Sequence, residues 1–300
     1  MADVLEINGL CKRFGSKQAL GGVTLSVPER CVFGFVGRNG AGKTTTMKSI
    51  IGLLKPDGGE ITVCGERVAY GGTKTNRFIG YLPDVPEFYG YMTAREYMSL
   101  CGRAAGMKSS DIKARTDELL ELVGLSDEKH RIKGYSRGMK QRLGIAQALI
   151  NRPKLLICDE PTSALDPVGR REILDILKDA GKQTSVFFST HILTDVERIC
   201  DRVAFLEGGK AALSGDIDEI RKKRSDTAVE VLPEKPSDAA LLAEQFPSGE
   251  VRDGCFTLKN ASAQDAEELM KCILAKHISV VRFERREPNL ENMFMEAIGE

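Results

Sequence analysis

The run Gly37-Arg38-Asn39-Gly40-Ala41-Gly42-Lys43-Thr44 fits G-x-x-x-x-G-K-[ST] at every fixed position. That pattern works only where an apolar strand hands the chain directly to a helix. Both flanks are present. Residues 31–37 (CVFGFVG) form a short apolar run, and residues 44–54 (TTTMKSIIGLL) have helical spacing. The helix is expected to stop at Lys55-Pro56-Asp57-Gly58-Gly59, a cluster of breakers. Glycines allow the backbone to curl until successive N–H groups converge on phosphate oxygens. The following helix adds its positive end. Lys43 then reaches the β- and γ-phosphates, and the Thr44 hydroxyl offers one position on Mg²⁺. The motif predicts binding of a nucleoside triphosphate.

Its surroundings predict α/β architecture. Residues 154–159 (KLLICD) and 184–190 (TSVFFST) are continuous apolar runs of strand length, as expected for strands covered on both faces of a parallel sheet. Helical patterns occupy residues 93–105 and 110–123, the second closed by Gly124, and another begins at Ser136. Asp159 and Glu160 end the first of these strands. Ligands of doubly wound sheets lie at the carboxyl ends of strands, so this pair arrives beside the phosphate loop. Adjacent carboxylates repel unless a cation or solvent separates their tasks. The economical assignment gives Asp159 the Mg²⁺, through water, and gives Glu160 the attacking water. His191 follows the next apolar strand and could touch the γ-phosphate; a satisfied core histidine is the alternative.

Lys plus Arg and Asp plus Glu both number 43, so the chain of 300 residues carries no net charge. That removes the electrostatic reason to expect a nucleic-acid or anionic-membrane binder. No stretch approaches the roughly 18 uncharged apolar residues that cross a bilayer, and MADVLEINGL lacks the pattern of a signal peptide. Eight cysteines are spread evenly without a CxxC pair. They are expected to be reduced core residues of a cytosolic protein.

The pattern loosens between residues 208 and 225, ending in Arg221-Lys222-Lys223-Arg224, which reads as a solvated helix end and linker. From Thr227 a smaller module reads strand (AVEVL), helix (SDAALLAEQF), strand (CFTLK), helix (AQDAEELMKCILAKH), strand (ISVVRFE), helix (NLENMFMEAIG). Two domains are therefore expected, over residues 1–220 and 226–300.

The chain also carries Tyr135-Ser136-Arg137-Gly138-Met139-Lys140-Gln141-Arg142 and Ser163-Ala164-Leu165-Asp166. With the phosphate loop, the Asp159-Glu160 pair and His191, these stretches follow the order and spacing of a known series. The chain resembles the ATP-binding subunit of an ATP-binding-cassette transporter, most closely those paired with a separate ABC-2-like membrane permease. The resemblance implies a P-loop NTPase cassette with a mainly parallel core, an antiparallel β subdomain and a helical subdomain, followed by a small α+β domain. It implies ATP contacts from Phe14, which would stack on adenine, and from Gly37, Asn39, Gly40, Ala41, Gly42, Lys43, Thr44 and Thr45. Mg²⁺ would fall to Thr44, Asp84 and Asp159, and catalysis to Glu160 and the switch histidine His191. Ser136 and Gly138 would contact the ATP of a second subunit packed head to tail, and Asp166 would belong to the D-loop.

Two departures from the family pattern stand out. Asp84 occupies a position usually held by Gln; it is shorter and lacks the amide donor but keeps an oxygen, which implies weaker or water-mediated metal contact. The signature, normally Leu-Ser-Gly-Gly-Gln, here has Arg137 and Met139. Ser136 still opens a helix, so its hydroxyl, the first N–H groups and the helix dipole make a second anion-facing surface. The resemblance further implies a permease on another chain and a place on the inner face of the cell membrane. The permease would dock near Phe88, Tyr89, Tyr91 and Met92, and export is the favoured direction. Leu290, Glu291 and Phe294 match the closing pattern of the accessory domain. A soluble cassette acting on ribosomes or nucleic acid, and a non-hydrolysing regulatory cassette, are the competing readings.

Overall fold

The apolar runs that read as strands form the centre of a six-stranded sheet. A computed structural model describes residues 3–223 and 228–286. The chain divides into two compact units, Met1–Ile217 and Asp218–Glu300.

In the first unit, β1 (Asp3–Phe14) and β2 (Lys17–Pro28) form a long antiparallel hairpin. β3 (Val32–Val36) leads through the phosphate loop into α1 (Lys43–Ile50). β4 (Gly58–Val63) and β5 (Glu66–Arg67) complete a sheet of order β2-β1-β4-β5. β6 (Ile79–Leu82) precedes three helices, α2 (Ala94–Ala104), α3 (Ser109–Leu122) and α4 (Arg137–Leu149). Then come β7 (Leu155–Cys158), α5 (Pro167–Gly181), β8 (Ser185–Thr190), α6 (Leu193–Ile199), β9 (Arg202–Glu207) and β10 (Lys210–Asp216). The larger sheet has the order β10-β9-β3-β8-β7-β6, parallel except for the β9–β10 pair.

Every residue of β3, β7 and β8 is buried, as continuous apolar runs require. Phe187 lies between Phe33 and Phe35, with ring centroids 5.7 and 5.2 Å away. The inner faces of β1 and β2 join this cluster through Leu5, Ile7, Leu20 and Val23, so both sheets share one core. Helix starts follow capping chemistry. Thr93 and Glu96 form a capping box on α2, and Ser136 caps α4 by accepting from the Met139 N–H. α1 is shorter than its apolar spacing suggests, ending at Ile50, and Gly52 follows in the left-handed region (φ 73°). The breakers Gly58 and Gly59 open β4 instead of forming a loop. Gly59 (φ 85°) lets two backbones meet, since a Cβ there would stand 2.4 Å from the Gly9 carbonyl oxygen.

The second unit begins with α7 (Ile217–Lys223), which contains the first three residues of the basic run; Arg224 lies outside the described residues. Then follow β11 (Ala228–Pro233), α8 (Pro236–Gln245), β12 (Gly249–Arg252), β13 (Cys255–Lys259), α9 (Ala263–Ala275) and β14 (Val280–Arg286). The antiparallel order β12-β13-β11-β14 makes a split β-α-β arrangement with β12 and β14 at its margins. Val229, Val231, Phe256 and Leu258 from the sheet, with Leu242 and Leu269 from the helices, form its core. β12 is absent from the sequence reading because GEVR offers one apolar side chain, Val251, and that is exposed. The closing helix expected around Leu290, Glu291 and Phe294, and Thr227, lie outside the described residues.

All eight cysteines are free. Cys31 and Cys158 are buried, whereas the other six are only half-buried, contrary to a uniformly core role. Burial pushes the Cys31 thiol up to about 12, so it stays protonated and inert at neutral pH.

Phe187→Ala should remove about 3–5 kcal/mol of stability in urea unfolding, because both neighbouring rings are anchored in the adjacent buried strand β3 and cannot collapse into the gap. A loss below about 1 kcal/mol would show that the sheets do not share this core.

Candidate functional site

Because β3 is buried along its whole length, the chain leaves the sheet at one fixed point. There the Gly37 N–H donates to the Thr190 carbonyl at the end of β8, at 3.3 Å. The loop then curls tightly, and Gly42 (φ 113°) ends it. A Cβ on Gly42 would stand 2.6 Å from Leu20 Cδ2 and 2.8 Å from the Ala19 carbonyl oxygen, so only glycine fits. No side chain caps α1. Its positive end is left facing the cleft.

Lys43, 5% exposed, turns back under its own loop. Its Nζ lies 2.6 Å from the Gly37 carbonyl oxygen, 3.3 Å from that of Arg38 and 3.0 Å from Glu160 Oε1. The other oxygen of Glu160, Oε2, is 2.8 Å from His191 Nδ1. Glu160 therefore bridges the lysine of the loop and the histidine after β8. Its backbone is left-handed (φ 48°), a strained conformation for this residue type, held by its N–H donating to Ser189 Oγ at 3.0 Å.

Asp159 is almost fully buried. Burial lifts its carboxyl above the usual range, opposed by hydrogen bonds from Ser189 and Thr44; Glu160 and Asp84 nearby raise it further. Ser189 Oγ donates to Asp159 Oδ1 at 2.8 Å, so one hydroxyl holds both members of the carboxylate pair. Ser189 is a functional residue that the sequence reading missed. Its signal was a polar residue within an apolar strand.

An open cleft of about 480 Å³ gathers Phe14, Asn39, Gly40, Gly42, Lys43, Thr44, Thr45, Asp84, Glu160 and His191 on its walls. Gly37, Ala41 and Asp159 are buried beneath it. Phe14 is half exposed at the end of β1, not buried, with the Lys12 ammonium 5.5 Å above its ring. Asp84 Oδ1 accepts from Ser163 Oγ at 2.5 Å. Ser136, Gly138 and Asp166 do not line this cleft. Ser136 is exposed at the start of α4, and Asp166 caps α5 by accepting from the Gly169 N–H.

The donor set suits Mg²⁺. Thr44 and Asp159 put a hydroxyl and a buried carboxylate in contact, both hard oxygen ligands. Among the described residues no group of three or more His, Cys, Asp or Glu could hold a metal. Mg²⁺ is commonly held by one or two such ligands, with phosphate and water completing its shell.

This sheet, loop and carboxylate pair define a P-loop nucleotide-binding protein. Residues 20–163 match the ABC transporter family, and residues 215–298 match the C-terminal domain of ATP-binding proteins of the DrrA1-3 type. The chain is 38% identical to the ABC transporter ATP-binding protein YxlF of Bacillus subtilis, over 98% of this chain and 99% of the relative. It is 33% identical to the bacitracin transport ATP-binding protein BcrA of Bacillus licheniformis, over 100% and 98%. A solved ATP-binding subunit of an ABC transporter superposes with a TM-score of 0.66 at 33% identity, covering 73% of this chain and 92% of that one. The chain belongs to the family of ABC transporter ATP-binding proteins. It is an ATPase and the ATP-binding subunit of a transporter.

Burial raises the Asp159 carboxyl, so its ionised form opposes folding, and that cost is present above the raised value and absent at low pH. Asp159→Asn should therefore raise the melting temperature of the nucleotide-free protein at pH 7. The gain should fade as pH drops below the ordinary carboxylate range. A variant destabilised equally at both pH values would contradict this account.

Proposed function

We propose that two copies of this cassette close head to tail on two Mg²⁺–ATP, and that closing and opening drive a permease on a separate chain, in the direction of export. One observation carries the reading. The anion-facing start of α4, with Ser136 and Gly138, lies outside the cleft that holds Lys43. One chain alone offers half a phosphate cage and a second, unused half. Head-to-tail closure completes both cages, which links association to ATP.

Each side chain then has a defined task. Lys43 exchanges its Glu160 partner for the γ-phosphate, and this frees the Glu160 carboxylate. Glu160 orients the attacking water and takes its proton, while His191, 2.8 Å away, steadies that carboxylate and reaches the γ-phosphate. Thr44 and Asp159 would hold Mg²⁺, which would supply charge neutralisation on the transferring phosphoryl group. Phe14 stacks on the base, a contact worth about 1–3 kcal/mol. Asp166 lies on the D-loop at the start of α5, where a partner would approach.

For the permease, a groove of about 470 Å³ is walled by Val85, Pro86 and Phe88 on one side and by Ile132 and Lys140 on the other. Tyr89 and Tyr91, the chain neighbours of the lining residue Gly90, stand exposed with ring centroids 5.9 Å apart. Met92 is half-buried, and its carbonyl accepts from the Ile132 N–H, which fixes the loop. We assign this surface to the permease's cytoplasmic segment. No helix among the described residues is long and apolar enough to cross a membrane; the peripheral place on the inner face follows from the proposed permease contact. BcrA, named for bacitracin transport, supports a role in moving a substance across the membrane.

Lys43→Ala should abolish ATP binding in calorimetry, and unchanged affinity would remove the phosphate-loop assignment. Glu160→Gln should keep ATP affinity, lower turnover by about 10²–10⁴-fold, and accumulate as an ATP-bound dimer in light scattering. The tagged chain should co-purify with a polytopic membrane protein. Recovery with ribosomes or DNA instead would favour the soluble-cassette alternative.

A further inference from the structure

Helix α4 holds Asp84 at two points. Gln141, fully buried, donates from Nε2 to the Asp84 carbonyl at 2.7 Å. Four residues earlier, on the same helix face, Arg137 Nη2 donates to Ser163 Oγ at 3.3 Å. Ser163 Oγ in turn donates to Asp84 Oδ1 at 2.5 Å, and the guanidinium stands 4.0 Å from that same oxygen. The donors run in one direction, from Arg137 through Ser163, and end on the carboxylate. Asp84 and Ser163 line the nucleotide cleft. Arg137 directly follows Ser136, the cap of α4.

Two of the residues by which this chain departs from its family pattern, Asp84 and Arg137, thus occupy the two ends of one hydrogen-bonded path. A Gln at position 84 would leave the guanidinium without its counter-charge. A Gly at position 137 would leave the carboxylate without its cation. Each departure is chemically consistent with the other. The charges are half exposed, so their direct attraction is weak; the short bond to a charged acceptor carries most of the effect.

We propose that Asp84, Ser163 and Arg137 form a clasp that sets the start of α4, and with it Ser136, relative to the nucleotide cleft of the same chain, and that Asp84 is a positioning residue and not a metal ligand. The proposal rests on the reading that Ser136 serves the partner's ATP. The clasp joins the two phosphate-facing surfaces of one protomer, so occupancy of its own cleft is felt at the surface it presents to its partner.

The test uses the full chain carrying Glu160→Gln, with ATP-driven dimerisation followed by light scattering and Mg²⁺ titrated during ATP binding. Arg137→Ala, Ser163→Ala and Asp84→Ala should each weaken dimerisation about five- to tenfold, with the Arg137→Ala/Asp84→Ala double variant no weaker than either single. Arg137→Lys, which keeps one charged donor, should restore most of the loss. Half-saturating Mg²⁺ should stay within about twofold in Asp84→Ala, as expected where the carboxylate is not a ligand. Additive losses in the double variant overturn the clasp. A shift of about tenfold or more in half-saturating Mg²⁺ with Asp84→Ala alone makes Asp84 a metal ligand and overturns the proposal as well. Should the Glu160→Gln parent stay monomeric with ATP, the dimer reading fails. The clasp is then judged by thermal unfolding of the same variants, where non-additive losses support it and additive ones overturn it.

Discussion

The buried ammonium of Lys43 is the interaction on which the rest of the site depends. A lysine held at 5% exposure requires compensation, and two carbonyls of its own loop with the Glu160 carboxylate provide it. The phosphate loop is therefore curled around a cation of its own. Glu160 is in turn fixed by that cation, by His191 and by Ser189 behind it. A γ-phosphate would compete with a carboxylate already in place. In the proposed mechanism, binding ATP and freeing the Glu160 carboxylate would then be one event.

The fold delivers these groups because parallel strands end together. β3, β8 and β7 are adjacent in the sheet, and each gives up its candidate site residue within two positions of the strand's end: Gly37 after β3, His191 after β8, Asp159 and Glu160 after β7. Full burial removes lateral freedom from each strand. Registers such as Val36 against Thr190 and Cys158 against Phe188 then set the distances across the cleft. Ser189 bonding to both carboxylate residues is a direct product of that register.

What could be read from the sequence divides along the range of the interactions. The phosphate loop, the strand ends, the helical stretch from residue 93 and the helix opened by Ser136 are local signals, carried by residues near one another in the chain, and they appear where the patterns place them. β12 was not legible, because a strand at a sheet margin with one exposed valine lacks alternation. Nor was the path from Arg137 to Asp84. Its members are 26 and 79 residues apart, and no periodicity reports that Ser163 stands between them. The half-buried cysteines were misjudged for a similar reason, since apolar neighbours in sequence do not determine how deep a thiol lies.

The margins of the small sheet bear on how copies of the chain meet. β14 carries Arg282, Glu284 and Arg285, and β12 carries Glu250 and Arg252. Unpaired strand margins invite another chain's backbone to add on, and alternating charges oppose that addition by demanding water. Such borders guard against indiscriminate, permanent stacking through main-chain groups. In the proposed head-to-tail dimer, adhesion between copies would thereby be left to a small molecule whose supply and destruction the cell can time.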